Sequence, residues 1–342
     1  MINFGKIKIG KDLPPVVIID LGINHSGSLD KAIYLSDLAM KNGAKIIKHQ
    51  THIADEEMSV EAKKIIPGNS RSSIYKIVKD FSLSYSEEKK LMKYINQKKC
   101  IFISTPFCKS AVDRLVEFKI PVFKIGSGEC NNYPLVDYIC SKKKPIILST
   151  GMNDIQSISK SVAIIRKHRV PYALLHCTNI YPTPPHLVRL EAMLELKKKF
   201  KDAIIGLSDH TETIHTSLGA IALGASLVEK HFTDDKKSSG PDMSASLDPK
   251  ELRLLTEGAS VIFSAMKGKK KAVKEEKKTI AFAFASIAST KNITKGELLT
   301  KNNIFPIRPG TGYFKVKDFN KLIGKIAKKN IKKGHQIKKK DV

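Results

Sequence analysis

The chain has 342 residues, 42% of them hydrophobic, with five cysteines and a formal net charge of +27. The apolar fraction supplies a full core and excludes a disordered chain, and the length suits one large domain plus a small one. No run of about 18 apolar residues marks a membrane helix, and the first residues lack an apolar signal core. With an odd set of cysteines and no CxxC pair, the sequence predicts reduced thiols in a cytoplasmic protein without membrane contact.

The charge is uneven: residues 267–342 carry 22 Lys+Arg against 5 Asp+Glu, and residues 1–266 carry 38 against 28. A basic tail raises the possibility of a nucleic-acid or anionic-surface binder. The lysines, however, are spread around the elements without interleaved aromatics, and no nucleic-acid motif is present. The reading is therefore solvated lysine faces, no nucleic-acid partner, and a field that favours an anionic substrate.

From Pro15 onward a short β-branched run, a turn and an amphipathic helix recur. The expected strands are Val16–Asp20, Lys45–Lys48, Cys100–Thr105, Pro121–Ile125, Pro145–Ser149, Tyr172–Cys177, Ala203–Leu207 and Ser226–Lys230. The expected helices are Ser28–Asn42, Ser86–Gln97, Ser110–Phe118, Tyr133–Cys140, Ile155–His168, Leu187–Phe200, Glu212–Leu223 and Pro249–Met266. Ser28 and Ser86 stand where N-caps belong. Eight such units within about 250 residues predict a (β/α)8 TIM barrel. A doubly wound sheet would show fewer units and a Gly-rich phosphate turn, and neither GxGxxG nor GxxxxGK[ST] occurs. The long connection Gln50–Tyr85 carries a turn at Pro67-Gly68-Asn69 and a short helix near Ser73–Phe81, and reads as a lid or interface.

The sequence thus divides into a barrel domain over 1–266, a charged linker over 267–281 and a small loop-rich domain over 282–342 with a helix at Val316–Leu322. The small domain is marginal in size and is expected to lean on the barrel or on a second subunit.

In a barrel, chemistry gathers at the C-terminal ends of the strands. The residues there are Asp20, Asn24 and His25; Lys48, His49 and Gln50; Ser104 and Thr105; Lys124, Ser127 and Glu129; Ser149; Thr178, Asn179 and Tyr181; Ser208, Asp209 and His210; Glu229 and His231. Lys48 and Lys124, each beside Gln, Ser or Thr, predict an anion site with hydroxyls suited to phosphate oxygens. From spacing alone, either lysine also fits a Schiff-base nucleophile. His210 and His231 occupy equivalent ends of adjacent strands, where two neutral imidazoles can share a divalent cation. Glu129 and Asp242 are carboxylates for proton handling or hydroxyl binding.

In order along the chain stand GINHSGS (22–28), KHQTH (48–52), IPGNS (66–70), STPF (104–107), KIGSGECNNYPL (124–135), LSTGMN (148–153), HCTNIYPTP (176–184), GLSDHT (206–211), EKHFT (229–233), SGPDMSASLDP (239–249), FAFAS (282–286) and RPGTG (308–312). Together these resemble the sialic acid synthase family over nearly the whole chain, with bacterial N-acetylneuraminate synthases the nearest branch and a tail similar to its antifreeze-like (SAF/β-clip) domain.

The resemblance implies condensation of phosphoenolpyruvate with open-chain N-acetylmannosamine, with C–O cleavage and release of phosphate. By that pattern Lys48, Gln50, Thr105, Lys124, Ser127, Ser149, Asn179 and Ser208 bind phosphoenolpyruvate. Asp20, Gln50, Tyr181, Asp242, Phe282 and Arg308 face the sugar, and Glu129 manages protons. His210 and His231 hold Mn2+, with Mg2+ or Co2+ as substitutes. Arg308 enters the site of the other subunit in a domain-swapped homodimer, and Phe282 comes with it. Two departures fall on the sugar side: Asp20 replaces the family's Glu, and Ala281 replaces an acidic residue. The alternatives are a legionaminic or pseudaminic acid synthase using a deoxy-diacetamido hexose and, more remotely, a non-catalytic sugar- or anion-binding protein.

Overall fold

The computed structural model describes every residue from 1 to 342 except 69, 71 and 239. Asn69 of the expected turn and Ser239 of the SGPDMSASLDP motif lie outside the described residues. Internal contacts divide the chain into two compact units, Met1–Lys267 and Gly268–Val342.

The first unit opens with an antiparallel hairpin, β1 (Ile2–Phe4) and β2 (Ile7–Ile9), which the sequence reading began too late to include. Eight parallel strands follow: β3 (Val16–Asp20), β4 (Ile46–Thr51), β5 (Ile101–Pro106), β6 (Phe123–Ile125), β7 (Ile146–Ser149), β8 (Tyr172–Cys177), β9 (Ile204–Ser208) and β10 (Leu227–Phe232). Each pairs with the next, and β10 pairs with both β9 and β3, so the sheet closes. A two-residue strand, β11 (Ser246–Leu247), lies beside the end of β10. The strands are almost wholly buried on both faces, which is why they read as β-branched runs rather than alternating ones.

The helices are α1 (Leu29–Lys41), α2 (Ala54–Glu57), α3 (Ile74–Phe81), α4 (Tyr85–Gln97), α5 (Lys109–Glu117), α6 (Tyr133–Ser141), α7 (Ile155–His168), α8 (Pro185–Val188), α9 (Leu190–Lys199), α10 (His215–Ala222) and α11 (Pro249–Ala265). Ser28 caps α1 as expected, its side chain accepting from Lys31 N. At α4 the cap is Ser84 rather than Ser86, because Glu87 reaches back to the Ser84 amide at 2.8 Å and closes a capping box. The single helix expected over Leu187–Phe200 breaks into α8 and α9 at Arg189, whose φ is +53°. Helix α10 starts three residues later than expected because the preceding loop is held otherwise. Asp209 accepts from Thr211 N, Thr216 Oγ1 and Ser217 Oγ, and Lys230 donates to the carbonyls of Thr211 and Thr213.

Inside the barrel, Phe4, Ile2 and Ile9 of the hairpin pack with Ile18, Ile46, Ile103, Val122, Ile147 and Leu227, so the hairpin closes the N-terminal end of the strands. A second cluster fills the layer between strands and helices.

In the second unit, β12 (Ser286–Ser289) and β13 (Ile304–Ile307) pair antiparallel over a small core that includes Ile287, Ile293, Leu299, Ile304 and Ile337. The stretch read as a linker contains a 3-10 turn, Lys274–Glu276, and α12 (Lys277–Ala283), neither with a buried residue. The expected helix Val316–Leu322 is a 3-10 turn followed by α13 (Phe319–Leu322). Among the described residues no helix is long and apolar enough to cross a membrane, and the five cysteines are free thiols.

Phe4 is fully buried in the barrel floor. Phe4→Ala is expected to lower unfolding free energy by about 3–5 kcal/mol, read by urea denaturation; a loss under about 1 kcal/mol would mean the hairpin is not part of the core.

Candidate active site

Register builds the site. His231 lies beside Asp20 across β10–β3, and Asp20 beside Lys48 across β3–β4, so three polar side chains share one level at the C-terminal end of the barrel. One level away, Cys177 lies beside Ser208, and Ser208 beside Glu229. Because strand side chains alternate, Glu229 and His231 share one face of β10 while Lys230 points to the other. A cavity of about 310 Å3 opens here. Its lining includes all the expected barrel residues except Glu129: Asp20, Lys48, Gln50, Thr105, Lys124, Ser127, Ser149, Asn179, Tyr181, Ser208, His210, His231 and Asp242.

The charges are paired and buried. Lys48 Nζ is 2.6 Å from Asp20 Oδ2 and 3.7 Å from Glu229 Oε1, and Lys124 Nζ is 3.1 Å from the same Glu229 oxygen. Burial penalises the Lys48 ammonium, yet the Asp20 and Glu229 carboxylates outweigh it and raise its pKa above the ordinary lysine value. At Lys124 burial wins, aided by the neighbouring Lys48, and the pKa falls despite Glu229. Asp20 is held well below the usual carboxylate range: its burial is overcome by Lys48 and His231 and by the amide of Gly22. Gln50 Nε2 also donates to Asp20, at 3.2 Å. Asp20 is thus engaged by Lys48, Gln50 and the Gly22 amide.

Several buried polar atoms have no hydrogen-bond partner among the described residues: Thr105 Oγ1, Ser149 Oγ, Glu229 Oε2 and His231 Nδ1. Unsatisfied groups of this kind are costly unless a ligand meets them. Ser127 Oγ accepts from Gly151 N at 3.0 Å. A Cβ at Gly151 would fall 1.9 Å from Asn179 Oδ1 and 2.9 Å from Ser127 Oγ, so a side chain here would displace both.

At the histidines, His210 Nδ1 donates to the Thr178 carbonyl at 2.9 Å, which leaves Nε2 as the lone-pair nitrogen, 3.2 Å from the Tyr181 hydroxyl. The two imidazole centroids are 5.5 Å apart. His231 Nδ1 is 3.5 Å from Asp20 Oδ2 and 3.8 Å from Asp242 Oδ2. Gly22, at φ +51°, keeps this corner open, because a Cβ there would lie 2.7 Å from Asp242 Oδ2 and 2.9 Å from His231 Nδ1. Two imidazoles, one oriented by a backbone carbonyl and one whose Nδ1 has no hydrogen-bond partner among the described residues, fit a divalent ion. Among the described residues no group of three or more His, Cys, Asp or Glu side chains is arranged to hold a metal ion, so a bound ion would need further ligands from outside such a group.

Other expected residues are placed differently. Glu129 is half-buried on a 3-10 turn, accepts from Asn132 Nδ2 at 2.8 Å and does not line the cavity. Phe282 and Arg308 belong to the second unit, where both are exposed. Left without a role by the sequence reading, Glu229 and Cys177 line the cavity, and Ile23, Ile74, Ile77 and Val78 give it an apolar wall. The period of two on β10 was the available signal for Glu229, which stands two residues before His231. For Ile74, Ile77 and Val78 the signal was their i, i+3, i+4 spacing on the short helix expected in the long connection after β4. Gly22→Ala is expected to lower kcat/KM for the reaction proposed below by at least about tenfold, with the circular dichroism spectrum unchanged. Full activity would place the working groups away from the His231–Asp242 corner.

Comparison with known proteins agrees with this architecture. Residues 35–271 match the NeuB family and residues 284–342 match the SAF domain. An N,N'-diacetyllegionaminic acid synthase of Campylobacter jejuni is 40% identical, over 94% of this chain and 98% of that protein. The human N-acetylneuraminate-9-phosphate synthase is 31% identical over 75% of this chain and 73% of its own. The crystal structure of an N-acetylneuraminic acid synthetase from Leptospira borgpetersenii, in complex with citrate, superposes with a TM-score of 0.75 at 31% identity, covering 82% of this chain and 94% of that one. The chain belongs to the NeuB family of sialic-acid-type synthases, with a SAF domain following its barrel.

Proposed function

We propose that this chain condenses phosphoenolpyruvate with open-chain N-acetylmannosamine to give N-acetylneuraminate and phosphate. The observation that carries the reading is one buried cavity holding Lys48 and Lys124, the unpartnered hydroxyls of Thr105 and Ser149, and the His210–His231 pair. In this reading the lysines, with Thr105, Ser127, Ser149, Asn179 and Ser208, take the carboxylate and phosphate of phosphoenolpyruvate, as fixed charge-assisted hydrogen bonds do for such anions. Gln50 and Tyr181 stand between the two substrates, and Asp242 binds sugar hydroxyls. Asp20 acts through Lys48, which it grips at 2.6 Å.

The bond that forms joins C3 of phosphoenolpyruvate to the aldehyde carbon of the sugar. Water adds at C2, and the C2–O bond breaks as phosphate leaves. The proton lost by the water balances the one gained by the aldehyde oxygen. A divalent ion, manganese in this reading with magnesium or cobalt as substitutes, is held by His210 and His231 and supplies Lewis-acid polarisation of the aldehyde. The proton role given to Glu129 by the resemblance has no support in its position, since its carboxylate accepts from Asn132 and does not line the cavity. In the Schiff-base alternative a free lysine amine attacks a carbonyl; the pairing of Lys48 with Asp20, which raises its pKa, speaks against that role for Lys48.

A second acceptor, a deoxy-diacetamido hexose, is favoured by the 40% identity to the Campylobacter legionaminic acid synthase. For assembly we infer a domain-swapped homodimer in which Arg308 and Phe282 of one subunit complete the sugar side of the other. The exposure of Phe282 (63%) and Phe284 (61%) on the second unit supports this. The five unpaired thiols fit a cytoplasmic enzyme.

Purified protein with phosphoenolpyruvate, Mn2+ and N-acetylmannosamine is expected to release phosphate, with the diacetamido sugar run in parallel. Faster turnover of the latter reassigns the acceptor, and no release with either overturns the reading. Chelator and His231→Ala are each expected to cut the rate at least about 100-fold; activity retained in both removes the metal role.

A further inference from the structure

The charges along the cavity floor alternate. Asp20 holds Lys48 at 2.6 Å, and Glu229 Oε1 sits 3.7 Å from Lys48 and 3.1 Å from Lys124. Two ammonium and two carboxylate groups give this row a formal charge of zero, in a site read as taking a multiply charged phosphate ester. Glu229 is the anomaly. It is 5% exposed, it lies among the groups assigned to the anion, and its hydroxyl partner Ser208, at 3.4 Å, is itself one of them. Its second oxygen is buried without a hydrogen-bond partner among the described residues. A carboxylate in that position weakens every anion the lysines bind, the released phosphate included.

We propose that Glu229 is a positioning residue that acts as an internal rival to phosphate. Between turnovers it holds the Lys48 and Lys124 ammonium groups apart and in place, and after bond cleavage it takes back the lysines and hastens phosphate release. The inference rests on the reading that phosphoenolpyruvate occupies this cavity. Physically, two like charges buried together repel and need a counter-ion when no ligand is bound. Without Glu229 the row would carry a net charge of +1 and bind substrate and product tightly alike, and uniform tight binding of that kind gives no gain in turnover once product release limits it. Glu229 trades affinity for release.

The test is Glu229→Gln, which keeps the shape and removes the charge. Relative to wild type, KM for phosphoenolpyruvate and the inhibition constant for inorganic phosphate are both expected to fall by about tenfold or more, and kcat is expected to fall as release slows. A residue that merely supports the fold, or one that binds substrate directly, would move KM upward instead. An unchanged or raised phosphate inhibition constant, in an enzyme whose wild type turns over, overturns the proposal alone. A wild type that neither binds nor consumes phosphoenolpyruvate overturns the functional reading and this proposal with it. If E229Q does not fold, Glu229→Asp carries the test: it keeps the charge but withdraws it by one methylene. A two- to threefold fall in the phosphate constant is then expected, and an unchanged or raised value refutes the idea.

Discussion

The structure depends on a buried row of alternating charges, Asp20, Lys48, Glu229 and Lys124, at the C-terminal end of a parallel barrel. None of the four is more than about a twentieth exposed. Burial of an unpaired ammonium or carboxylate at this depth would cost several kcal/mol. Each group is therefore tolerable only because the next is within a few ångströms, and that spacing comes from strand register. A slip of one residue on β4 or β10 would turn Lys48 or Glu229 into the helix layer and leave its partner stranded. The charged row and the barrel register thus enforce each other.

The outward faces of the same strands explain how the row is held. On β4, His49 and Thr51 alternate with Lys48 and Gln50 and point to the helix layer, where the fully buried Glu88 of α4 takes both of them and Arg114 of α5. On β10, Lys230 alternates with Glu229 and His231 and pins the loop that carries His210. That loop is fixed a second time by Asp209, whose carboxylate takes three donors from residues 211–217. The helix layer therefore acts on the chemistry through side chains one residue away from the working ones. His25, buried beside His49, is pushed down to about 3 by desolvation and the neighbouring histidines, so His25 itself adds no positive charge behind the site.

The barrel was legible because its signal is repeated: β-branched runs buried on both faces, then amphipathic helices, eight times over. The lysine and histidine pairs were legible because strand-end positions are. What escaped is non-repeating or depends on contacts distant in sequence. The β1–β2 hairpin has three-residue strands, too short for a period, and its place is fixed only by the barrel floor it plugs. Ser84 rather than Ser86 caps α4 because a side chain three residues on closes the box. The contacts of Asp20 with Lys48, Gln50 and Gly22 could not be read from the sequence, because its neighbours come from another strand and a turn. Glu129 sits in a motif that points to the cavity, yet the turn around it directs its carboxylate to Asn132. In the second unit, composition marked the change of character near residue 268 but missed the exposed helix α12.

The central claim is that this cavity receives phosphoenolpyruvate as an anion and breaks its C–O bond, rather than transferring its phosphoryl group. Phosphoenolpyruvate labelled with oxygen-18 at the bridging position tests it most directly. After turnover with the accepted amino sugar, mass spectrometry is expected to find the label in the released phosphate, with an unlabelled ketone oxygen in the sugar acid derived from water. Label retained in the sugar acid or in pyruvate would mean cleavage between phosphorus and oxygen, and would contradict the account.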